Sequence, residues 1–178
     1  MKGPVGHGLH LARRFFGSLS GAEPEPVDAA WVQGVLRPGE AGLWARMSAP
    51  DRRHAVGVAR AVETELGPGA TQAVLAAALL HDVGKVDSGL GTMARVVATM
   101  VGRPAVRRRS AELAERGGPL GKLGRYLRHP EIGGALLGEA GSDTLTRAWA
   151  ESHHRPEERW DPAVPVATGR VLKAADDD

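Results

Sequence analysis

The stretch AVLAAALLHDVGK, residues 73–85, decides how the rest of the chain is read. Its first eight residues, Ala73 to Leu80, are all apolar, so a helix built from them has no polar face to turn toward water. A helix that is apolar all round is buried all round. This one is also far shorter than the ~20 residues a membrane span needs. Yet the run leads directly into His81 and Asp82, with Lys85 close behind. Burying such groups without partners costs several kcal/mol, so either distant parts of the chain or something that is not protein must meet them.

Working outward, Thr71 is placed to cap this helix, and Gly67-Pro68-Gly69 separates it from a longer helix at 50–66 that Ser48 can cap. Upstream, 27–36 and 40–47 read as short helices, with Trp31 and Trp44 as core anchors. Downstream, helices are expected at about 92–101, 104–116, 119–127, 130–140, 143–154 (Ser142 as cap) and 164–176. Nowhere do Val, Ile and Thr alternate with period two. The expected fold is therefore all-α: one helical domain over 26–178, preceded by a flexible arm at 1–25 that ends in the linker-like GAEPEP.

With 178 residues the chain can bury one real core. It has no cysteine, which excludes disulfides, thiolate zinc sites and cysteine nucleophiles and leaves histidine and carboxylate as the metal ligands. A net charge of +2 gives no strong nucleic-acid signal. Arg103, Arg107, Arg108, Arg109, Arg116, Lys122, Arg125 and Arg128 face only Glu112 and Glu115 within 103–128, which reads either as an electropositive wall near a site or as a solvated helix face. Only Tyr126 interleaves with them, too little for a base-stacking platform. No apolar run follows Arg13-Arg14, so the passing likeness to a twin-arginine leader is set aside; no membrane span is expected, and the expected location is the cytoplasm.

The histidines carry the chemistry. His7 and His10 fall in the arm and are assigned no role, whereas His54, His81, His129, His153 and His154 fall in or at the ends of four separate expected helices. Each alone has an ordinary explanation: a solvated histidine beside Arg52 and Arg53, a chance His-Asp pair, a helix-start residue before Pro130, a positive group at a helix C-terminus. A bundle that gathers those helix ends would assemble five imidazoles with the carboxylates of Asp82 and Asp176. That is a donor set for Mn, Fe, Co, Ni or Zn rather than Mg or Ca. Seven donors exceed one tetrahedral ion and suit a pair of ions sharing a carboxylate.

In the order His54, then HDVGK (His81, Asp82, Lys85), then Asp176, the chain resembles the HD-domain superfamily of metal-dependent phosphohydrolases. HPEIG at 129–133 and the pair His153-His154 are similar to the extended ligand set of its HD-GYP subgroup, which includes cyclic di-GMP phosphodiesterases. The resemblance implies an HD-type helical bundle holding two divalent transition-metal ions. His54, His81, Asp82 and Asp176 would be the primary ligands, with Asp82 bridging and also catalytic. His129, His153 and His154 would complete the second ion, and Lys85 would meet the substrate phosphate or the leaving group. The implied substrate is a nucleotide, cyclic dinucleotide or related small phosphoester. Where the subgroup carries a Gly-Tyr-Pro signature this chain has RPEERWDPAVP, and Pro50 stands four residues before His54, where three-metal members place a glutamate. Two other classes stand beside the hydrolase: a non-catalytic HD-type ligand-binding or signalling module, and a di-iron HD-type oxygenase.

Overall fold

The computed structural model describes residues 23–90 and 108–177. Among them are nine α-helices and no strand. They are α1 (Pro26–Val35), α2 (Pro38–Arg46), α3 (Ala49–Leu66), α4 (Gln72–Leu80), α5 (Ser110–Ala114), α6 (Gly118–Leu127), α7 (His129–Glu139), α8 (Thr144–Ser152) and α9 (Val166–Asp177). Short 3₁₀ turns lie at Gly67–Gly69, Val83–Asp87 and Glu157–Arg159.

The apolar run is α4, and every residue from Val74 to Leu80 is buried. No face is left for solvent because α1, α2, α3 and α8 all pack on it. Its alanines, Ala76, Ala77 and Ala78, let those neighbours approach closely, while Leu79 and Leu80 fill the space between them. Thr71 starts it: the side chain accepts from Val74 N at 3.4 Å. Ser48 starts α3 in the same way, accepting from Asp51 N at 3.3 Å. Prolines stand in the first turns of α1, α2, α3, α6 and α7, where a missing N–H removes no helical bond.

α3 extends from α4 to α9, and α7 bridges α8 and the 3₁₀ turn that follows α4. The ends of α3, α4, α7, α8 and α9 are thereby drawn to the end of the central post. The close contact of α7 with that turn is made at Gly84. A methyl group there would stand 1.9 Å from His129 O and 2.6 Å from Gly133 N, so only glycine lets the two backbones meet.

Several boundaries shift from those the sequence leads one to expect. The cap of α8 is Asp143, whose carboxylate accepts from Leu145 N at 3.0 Å, and not Ser142, whose hydroxyl is buried without a hydrogen bond. Of the helix expected over 104–116, the described part is the short α5. Trp44 is a buried anchor, whereas Trp31 packs half-exposed with the Arg60 guanidinium 3.7 Å over its ring. Residues 1–22 of the arm, with His7, His10 and Arg13-Arg14, and the helix expected at 92–101 lie outside the described residues. No helix among the described residues is long and apolar enough to cross a membrane.

Candidate metal centre

His54 projects from α3, half-buried, and its Nε2 lies 3.0 Å from Oδ1 of Asp176 on α9. His81 directly follows α4, Asp82 follows it, His129 opens α7, and His153 and His154 directly follow α8. These seven residues fall into two groups, His54-His81-Asp176 and Asp82-His129-His153-His154, each with its donor atoms within 4.8 Å of one another. Asp82 joins them. Its Oδ1 is 3.3 Å from His129 Nε2 and 3.8 Å from His153 Nε2, while its Oδ2 is 3.4 Å from His81 Nε2. His81 Nε2 is also 3.4 Å from Asp176 Oδ1.

One local device orients the three buried imidazoles. The Nδ1 of His81 meets Ala78 O at 2.9 Å, that of His129 meets Tyr126 O at 2.7 Å, and that of His153 meets Ala150 O at 2.9 Å. Each acceptor lies three residues back, among the last carbonyls of a helix, which have no helical N–H to receive. A carbonyl can only accept, so each Nδ1 carries the proton and each Nε2 points inward as a lone pair when the ring is neutral. Histidine at these helix ends is thus locked in the tautomer that binds metal through Nε2.

The centre is short of protein partners. His81 Nε2, His153 Nε2 and Asp82 Oδ1 are buried without an aligned hydrogen bond. Two imidazole nitrogens, His129 Nε2 and His154 Nε2, face each other at 3.2 Å. Buried polar atoms are ordinarily satisfied, and a divalent cation is a partner that would satisfy lone pairs from histidine and carboxylate together. The residues present fit such ions: imidazole and carboxylate oxygen, no thiolate, two groups sharing a carboxylate.

The charges agree with this. Burial opposes ionisation of Asp82, but Lys85 and His81 outweigh it and hold the carboxyl well below the usual range. Burial likewise opposes an ionised Asp176, and hydrogen bonds from His54 and His81 outweigh it. Burial, reinforced by His154 and His81, keeps the His153 imidazole well below its ordinary value; burial and His129 bring His154 down to about 4. Both rings are neutral at pH 7 and ready to ligate. His81 differs. Burial disfavours its charge, yet the Asp82 and Asp176 carboxylates prevail and raise it to about 10 without metal. Lys85 forms an ion pair with Asp82 Oδ2, and despite its burial Asp82, then Tyr126 and Asp51, raise its pKa.

Three features of the centre were not evident from the sequence. Gly84 sets the His129–Asp82 approach, and its only sequence signal is a glycine two residues after Asp82. Tyr126, the chain's single tyrosine, supplies the carbonyl that orients His129, a backbone role with no sequence signal. Asp51 acts electrostatically on Lys85 from the first turn of α3. Of the basic residues at 103–128, Arg108, Arg109, Arg116 and Lys122 are exposed, and Arg125 is tied to Asp87 O at 3.0 Å; Arg103 and Arg107 lie outside the described residues. Compared with models of known protein families, with curated proteins and with solved structures, the chain matches none.

Proposed function

We propose that the chain is a metal-dependent phosphohydrolase of the HD-domain type, acting on a small phosphoester through two divalent transition-metal ions. One observation carries the reading: Asp82 turns one carboxylate oxygen toward His129 and His153 and the other toward His81, between two separate donor groups. A carboxylate between two histidine-rich groups has the chemistry of a bridging ligand. His54, His81, Asp176 and Asp82 Oδ2 would hold the first ion; His129, His153, His154 and Asp82 Oδ1 would hold the second.

When bound, such ions supply Lewis acidity, activating water and neutralising charge on phosphate oxygens. The chain's own residues do the rest. The helix-end carbonyls hold His81, His129 and His153 rigid, so little reorganisation accompanies the reaction. Imidazoles outnumber carboxylates five to two, so as ligands they would leave most of the ions' positive charge available to a phosphate. Lys85 is already paired with Asp82 and would meet a phosphate oxygen or protonate the departing oxygen from that position. The buried α4 fixes His81 and Asp82 against the core.

The test is turnover of a panel of phosphomonoesters and phosphodiesters with Mn²⁺ or Fe²⁺, in wild type and Asp82→Ala. The reading expects metal-dependent hydrolysis by wild type and a loss of about 10³-fold or more in the variant. It fails if wild type takes up no transition metal and Asp82→Ala turns over as wild type does.

A further inference from the structure

The helices α5 and α6 form a hairpin whose two arms pack chiefly on each other. Glycine allows the contact: a methyl group on Gly124 would stand 2.2 Å from Ala114 N, and one on Gly121 would stand 1.8 Å from Arg116 O. The root of the hairpin is tied to the body, where Arg125 donates to Asp87 O at 3.0 Å and the Tyr126 ring lies 5.7 Å from that of His129. From that root outward, the apolar stripe of α6 runs from Leu127, which is buried, through Leu123, half-buried, to Leu120, which is 48% exposed. The turn at the outer end, Gly117-Gly118-Pro119-Leu120, is exposed throughout.

Charge is left over on this hairpin. Residues 108–128 hold six cations against Glu112 and Glu115, in a chain whose net charge is +2. Elsewhere on the surface several cations are matched by carboxylates: Arg46 by Asp87 at 2.9 Å, Arg170 by Glu157 at 2.7 Å and Lys173 by Asp177 at 2.7 Å. On the hairpin, Arg108, Arg109, Arg116 and Lys122 are exposed and, among the described residues, have neither a hydrogen bond nor an ion pair.

We infer that the hairpin is a docking surface for an anionic lipid bilayer. The four unpaired cations meet the acidic headgroups, and Leu120 with Pro119 enters the interface between headgroups and acyl chains. Basic side chains around an exposed apolar one are the composition that holds a protein reversibly on such a surface. A nucleic-acid backbone would use the cations, but it offers an exposed leucine nothing to pack on. The hairpin's one aromatic ring, Tyr126, is turned to His129 and is not free to stack on bases. A protein partner needs an apolar patch at the centre of its interface. The other large apolar side chains exposed among the described residues, Val27 and Val166, stand on α1 and α9. Docking of this kind needs neither metal nor turnover, so it stands or falls apart from the phosphohydrolase reading.

The chain is sedimented, in chelator, with vesicles of phosphatidylcholine alone or with about one-third phosphatidylserine. Wild type should bind the anionic vesicles and not the neutral ones, and more weakly as salt is raised. Arg109→Gln, Arg116→Gln and Lys122→Gln should each lose about fivefold in affinity. Arg170→Gln removes the same charge from α9 and should change binding by less than about twofold. Leu120→Ser should lose about fivefold on vesicles while leaving any binding of duplex DNA unchanged. These side chains are exposed, so urea unfolding should match wild type in every hairpin variant. Equal binding to both vesicles, binding to neither, or a loss in Arg170→Gln as large as those on the hairpin overturns the inference. Charge dependence that Leu120→Ser leaves untouched also overturns it, and makes the surface one for polyanions at large, duplex DNA included.

Discussion

Replacing Gly84 by alanine would test whether backbone contact, rather than the ligands alone, builds the second half of the centre. The added methyl would sit 1.9 Å from His129 O and 2.6 Å from Gly133 N, and both are backbone atoms that no rotamer change can move. Ordinary contact begins near 3.4 Å, so the start of α7 must retreat by about 1.5 Å. His129 Nε2, now 3.3 Å from Asp82 Oδ1, would then lie almost 5 Å away. Two donors at ~2.1 Å from one ion lie at most ~4.2 Å apart, so His129 and Asp82 could no longer share one. Overpacking of this kind costs about 1–3 kcal/mol. His54, His81 and Asp176 ride on or next to α3, α4 and α9 and would be left in place. The assays are urea unfolding of the metal-free protein and a metal titration read by elemental analysis. Gly84→Ala should lose about 1–3 kcal/mol of stability and bind its second metal equivalent at least about tenfold more weakly, while retaining the first. If the variant matches wild type in both stability and metal stoichiometry, the account of Gly84 is wrong.

Other outcomes follow from the same geometry. His54→Ala and His153→Ala should each reduce bound metal from two equivalents to about one, in opposite halves of the centre; loss of both ions in either variant, or of neither, contradicts two groups joined at Asp82. The pH dependence should change sign with metal. His81 is raised from 6.5 to about 10 in the metal-free protein. The folded state therefore holds a proton that the unfolded state releases, so this contribution to stability is complete below about 6.5 and is lost as pH climbs through about 10. With chelator present, stability should fall between pH 7 and pH 10; in excess metal, which competes with that proton for Nε2, it should rise over the lower part of that range. A chelated protein whose stability is flat or rising with pH would show that the Asp82 and Asp176 carboxylates do not act on His81. Leu79 is 0% exposed in the middle of the core, so Leu79→Ala should cost about 2–5 kcal/mol in urea unfolding. A change under about 1 kcal/mol would mean α4 is not a packed post.

The sequence made α4 legible because burial on every side leaves a mark: eight consecutive apolar residues. Ser48 and Thr71 were legible as caps for the reason that their oxygens stand just ahead of helix-forming runs. Ser142 and Asp143 offer the same chemistry one residue apart, and the sequence has no means of deciding which oxygen reaches Leu145 N. The donor types of the centre were visible in the residues themselves; their division into two groups was implied only by the family resemblance. His54 and Asp176 are 122 residues apart, and only the packing of α3 on α9 brings them to 3.0 Å. The tautomers of His81, His129 and His153 depend on where three carbonyls point, and Gly84 matters through the backbone it faces. Such relations exist only in space.

The central claim is that Asp82 stands between two metal ions. Anomalous diffraction from crystals of the protein loaded with Mn²⁺ tests it most directly. Two peaks should flank the Asp82 carboxylate, one among His54, His81 and Asp176 and the other among His129, His153 and His154. A crystal loaded in the same way with no peak there, or with one peak that Asp82 does not touch, would contradict it.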